Sequence, residues 1–116
     1  MRLYGFLKSP LPNGSQDLIY KIMLHETRRK DAFAYLYTSL EALFCSYDLH
    51  YETLADALED WEEEIGPEGW SILEDPLPYC QHDCPFPVRV KGRECGTPQW
   101  GQYERLENGE WKDFVP

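Results

Sequence analysis

Apolar and polar positions along the 116-residue chain change period several times, and each period implies a different element. In "TLADALEDWEEEIG" the apolar residues Leu54, Leu58, Trp61 and Ile65 recur at helical spacing, with Ala55 and Ala57 beside them. That spacing predicts one amphipathic helix over about 54–65. Thr53 is placed to cap its N-terminus, with Asp56 as the acidic half of a capping box. Gly66 suits the position just past the end, and Pro67 cannot continue the helix.

Elsewhere the period is two. "LIYKIMLHETRRKDAFAYLYTS" reads as a hairpin turning at Arg28–Asp31. Tyr20, Ile22 and Leu24 alternate on one arm, and Phe33, Tyr35 and Tyr37 on the other. A helix over 15–26, capped by Ser15, is the alternative for the first arm; the aromatic second arm favours β. "ALFCSY" and "GWSILED" offer two further short strands. "PVRVKG" alternates Val88 and Val90 with Arg89 and Lys91, and two more runs flank Asn108-Gly109. Asn-Gly favours a type I′ turn because both residues take positive φ. These three runs predict a C-terminal β-meander, with "GRECGTPQWG" as a wide connection. The expected fold is α+β: an antiparallel sheet of about five to seven strands, with the 54–65 helix packed on one face. The helix stripe needs an apolar sheet face, and the aromatic arms at 33–37 and 100–114 are the candidates. Length alone predicts a single domain over 1–116.

Charge sharpens the picture. The net charge is −10, and residues 51–76 hold ten acidic side chains and no Lys or Arg, so the whole imbalance sits there. No basic stripe is present to neutralise phosphates, which argues against a nucleic-acid binder. An anionic membrane surface would repel the acidic segment. No run approaches the length of a membrane span, and "MRLYGFLKSPLPNG" lacks the apolar core of a secretory signal. The expected location is cytoplasmic, where cysteines are reduced thiols or metal ligands.

Two clusters carry candidate chemistry. Glu62, Glu63 and Glu64 occupy the last helical turn, where the macrodipole prefers a cation. Asp60 and Glu64 repel at i, i+4. Local stability therefore does not account for the acids, which leaves solubility or a docking face for a basic protein. Asp60, Glu63 and Glu64 are the candidate binding residues, with Tyr51 as an aromatic anchor. In layout, "YETLADALEDWEEEIG" and "GWSILEDPLP" after a strand hairpin resemble small acidic bacterial proteins, including immunity-type domains. No motif carries that likeness, so it assigns no site residue.

The second cluster is "PLPYCQHDCPFPVRV". Cys80, His82, Cys84 and the distant Cys95 would make a Cys₃His zinc set. The spacing departs from the usual paired knuckles, since no second cysteine pair follows. A nucleophilic cysteine would need a nearby base and orienting group, which His82 does not readily supply to Cys80 or Cys84 across one intervening residue, because an extended segment points neighbours apart. Pro76, Pro78, Pro85 and Pro87 alone favour an extended loop. The leading expectation is a small soluble interaction module without catalysis or cofactor, binding a basic protein through an acidic and aromatic surface. The alternative is a zinc-binding domain or metalloenzyme at Cys80, His82, Cys84 and Cys95. A pocket enzyme assembled from His25, His50 and the cysteines is the third reading.

Overall fold

The computed structural model describes residues 1–14 and 16–116. The fold is α+β, with two antiparallel sheets of five and three strands and one short helix. The chain divides into two compact units, Met1–Glu74 and Asp75–Pro116.

The first unit contains β1 (Arg2–Pro12), β2 (Leu18–Glu26), β3 (Ala32–Tyr37), β4 (Tyr47–Tyr51), α1 (Leu54–Trp61) and β5 (Ser71–Leu73), in the sheet order β4-β3-β2-β1-β5. The expected hairpin is present as β2 and β3, with Ile22 opposite Leu36 and Leu24 opposite Ala34. The helical alternative for its first arm falls, because Leu18–Glu26 is strand; its proposed cap, Ser15, lies outside the described residues.

Both faces of this hairpin are buried, which obscures a simple in–out alternation in the sequence. One face gathers Leu3, Ile22, Leu24, Ala32, Ala34 and Leu36 under Leu54, Ala57, Leu58 and Trp61 of α1. Ala32 and Ala34 are small, and Ala57 is fully buried against this layer. The opposite face gathers Met23, Tyr35 and Tyr37, with Tyr4 and Phe33 packed beside them. Of the two aromatic arms suggested as a platform for the helix, 33–37 therefore turns away from it. Pleat alternation explains the correction: a strand that offers alanines and Leu36 to one side must send its aromatics to the other.

The helix begins as expected. Thr53 is extended, and its hydroxyl accepts from the Asp56 amide at 3.1 Å. It ends earlier than expected, at Trp61, and Glu62–Glu64 form a single tight 3₁₀ turn. Three glutamates at the negative pole, without a cation, do not favour a longer helix. Gly66 is not a left-handed cap. Its amide donates to the Phe6 carbonyl at 2.9 Å, while Ile65 is extended and bridges Leu7. Ile65 thus reaches the helix-side core from outside the helix.

Two strand assignments also change. β1, which the N-terminal pattern does not announce, pairs with both β2 and β5. Its register shifts between Phe6 and Leu11, so its alternation is broken mid-strand. In the run "ALFCSY", residues 42–46 are bends and irregular backbone rather than strand, and β4 begins only at its last residue, Tyr47.

The second unit contains β6 (Val88–Val90), β7 (Tyr103–Glu107) and β8 (Glu110–Phe114), the expected meander. Asn108 and Gly109 have φ of 51° and 80°, as a type I′ turn requires. The Arg89 guanidinium lies 3.9 Å from the Trp111 ring centroid and meets Glu104 at 3.2 Å, tying the first strand to the other two.

Candidate functional site

The acidic segment is anchored to the sheet by one phenol. β4 ends at Tyr51, and the Thr53 cap starts α1 two residues later, so the helix runs back over β2, β3 and β4. That return places Asp60 and Trp61 beside Tyr51. The Tyr51 hydroxyl donates to Asp60 Oδ2 at 2.8 Å and accepts from Trp61 Nε1 at 3.0 Å. Partial burial pushes the phenol's pKa up, and the Asp60 carboxylate adds to that shift by favouring the protonated form.

Around this anchor the carboxylates point outward. Glu59, Asp60, Glu62 and Glu63 are exposed, and Glu64 is half-buried. None of the ion pairs among the described residues reaches them. The structure thus brings Tyr51 and Asp60 into direct contact and sets Glu63 and Glu64 in the following 3₁₀ turn. Tyr51 is held internally, so it shapes the face rather than standing out from it.

The cysteine loop is placed differently. Cys80 pairs with Arg89 in an isolated bridge, and Gln81 donates to the Val88 carbonyl at 2.8 Å. Cys80 and Cys84 are 2% and 0% exposed, while Cys95 is exposed, its thiol 3.6 Å from Glu94 Oε1. His82 is exposed. Among the described residues, no group of three or more His, Cys, Asp and Glu side chains gathers to hold a metal.

The remaining histidines have local partners. His25 Nδ1 lies 3.2 Å from the Tyr35 hydroxyl within the sheet. His50 Nε2 lies 2.7 Å from Asp31 Oδ2, and Asp31 also accepts from the Thr27 hydroxyl. The Thr27 bond, then the His50 contact, hold the Asp31 carboxyl below its usual range. This Thr27–Asp31–His50 group joins the β2–β3 turn to β4. It is not apparent in the sequence, because 19 residues separate Asp31 from His50 and only the strand register unites them. Lys21 is also unforeseen. It is 3% exposed, donates to the Leu40 carbonyl at 2.6 Å and lies between the rings of Tyr4 and Tyr37.

The described residues of the first unit also line a cleft of about 400 Å³, formed by Phe6, Leu7, Lys8, Leu40, Gly66, Pro67 and Glu68. No helix among the described residues is long and apolar enough to cross a membrane. No family model, no curated protein and no solved structure matches the chain.

Proposed function

We propose that this protein is a non-catalytic interaction module that binds a basic protein partner through the acidic face at 59–64. The observation that carries the reading is a row of outward carboxylates that no ion pair among the described residues reaches, fixed to the sheet by the Tyr51–Asp60 bond. Self-repulsion within such a row is unfavourable, and a basic partner relieves it on docking. The same field repels phosphates, so nucleic acid and anionic lipid are poor ligands. Asp60, Glu63 and Glu64 supply the charge, and Tyr51 with Trp61 supplies a rigid aromatic base.

The test has two stages. Proteins captured from an extract at low salt are identified and produced in pure form, and their association with the wild type is timed across salt concentrations. The expected partner is basic, and Glu63→Lys with Glu64→Lys slows association by about ten-fold and flattens its salt dependence. Association that neither salt nor charge reversal alters overturns the reading.

A further inference from the structure

The sheet of the first unit has one outer strand left open, and it lies beside the acidic face. Edge strands expose unpaired backbone groups, and proteins normally blunt them with prolines, lysines, bulges or short length. β5 is only three residues long and is followed by Pro76 and Pro78. The bulged stretch of β1 carries Pro10, and Pro12 ends the strand. β4 has none of these devices: Tyr47–Tyr51 is continuous in register with β3, without proline, lysine or bulge. No strand pairs with its other side among the described residues. Leu49 is 42% exposed, and Asp48 and His50 are exposed on the opposite face.

We propose that β4 receives an extended, basic segment of a partner protein as an added antiparallel or parallel strand. This rests on the interaction reading above and names how the partner seats. Main-chain hydrogen bonds along β4 would supply affinity, and alternate side chains would supply specificity. The pleat assigns the chemistry of the incoming strand. On the helix side it meets Tyr47, Leu49 and Tyr51 and needs apolar residues. On the other side it meets Asp48 and the Asp31–His50 pair and needs lysine or arginine. Of the nearby cations, Lys21 of β2 donates to the Leu40 carbonyl, and Arg28–Lys30 lie in the β2–β3 turn past the Tyr51 end, where Lys30 faces Glu26 at 3.8 Å.

Charge decides between a foreign strand and a second copy of this chain. Two β4 strands crossing antiparallel about Leu49 would match Asp48 with His50 and Tyr47 with Tyr51. The same two-fold axis would set two acidic helices on one face, each chain carrying −10. Like charges so juxtaposed oppose the pairing, whereas a basic strand gains from both the edge and the helix.

The experiment uses the full chain and a synthetic peptide of about ten residues that alternates lysine and valine, a length and period suited to one added strand. A lysine–alanine peptide of equal charge and helical spacing is the control. Amide exchange is followed residue by residue. The lysine–valine peptide is expected to slow exchange within Tyr47–Tyr51, and the control is not. Asp48→Lys, an exposed change that installs the missing edge lysine, is expected to weaken the lysine–valine peptide about ten-fold while the melting temperature holds. Shifts confined to 59–64 overturn strand addition and leave the acidic-face reading standing. Equal β4 protection by both peptides, or no binding of either, overturns it as well. Protection of β4 that grows with protein concentration without peptide makes a second copy the occupant and likewise overturns it.

Discussion

Tyr51 donates its phenolic hydrogen to Asp60 at 2.8 Å, and this contact couples the last residue of β4 to the acidic end of α1. Trp61 Nε1 donates to the same oxygen at 3.0 Å. Tyr51→Phe removes the acceptor of one bond and the donor of the other. The Trp61 N–H is half-buried and loses its partner, so the expected loss is about 1–2 kcal/mol in urea unfolding. A loss that small keeps the fold, so the variant also separates the anchor's structural role from partner binding.

The same phenol makes a prediction about high pH. Its folded pKa is raised above 10.0, chiefly by burial. The unfolded chain therefore ionises first. The contribution is fully present below the unfolded value and is lost as pH rises through the folded one. Ultraviolet titration of tyrosinate should lose a late component in Tyr51→Phe.

Asp31 predicts the opposite dependence. Its folded pKa lies below the 3.8 of an unperturbed carboxyl. Its contribution is present above the unfolded value and is lost as pH falls through the folded one. Carbon-detected titration should place its midpoint below 3.8, and His50→Ala should raise that midpoint without restoring 3.8, because the Thr27 bond is the larger cause. Thr27→Val should raise it further than His50→Ala does.

Gly5 is set by packing rather than by a turn. A Cβ there would sit 2.9 Å from Ile65 Cδ1 and 3.0 Å from the Trp70 ring. Gly5→Ala is expected to cost about 1–3 kcal/mol through overpacking, read as a lower denaturation midpoint with an unchanged slope.

Burial orders the thiols. Cys95 is exposed, and Cys80 and Cys84 are closed off. Iodoacetamide should label Cys95 in the native protein and reach Cys80 and Cys84 only at the rate of unfolding, as peptide mapping by mass spectrometry would show. Labelling of Cys80 as fast as Cys95 would contradict the buried placement.

What the chain determined by itself is local. Thr53 caps a helix because its hydroxyl needs only the amide three residues on. Asn108-Gly109 turns a hairpin because two adjacent residues tolerate positive φ. The unbalanced charge of 51–76 is likewise a property of composition. Tertiary structure decided everything that depends on partners distant in sequence. β1 joins the sheet through residues that pair with 18–25 and 71–73, which no local period announces. The helix stops at Trp61 because Ile65 and Gly66 are drawn into backbone contacts with Phe6 and Leu7. Strand register sends Ala34 toward the helix and Tyr35 away, and closes Asp31 onto His50. Each is settled by a pleat or a pairing whose second half lies elsewhere in the chain. For the same reason the acids of 59–64 were legible in the sequence, while the open β4 edge beside them was not.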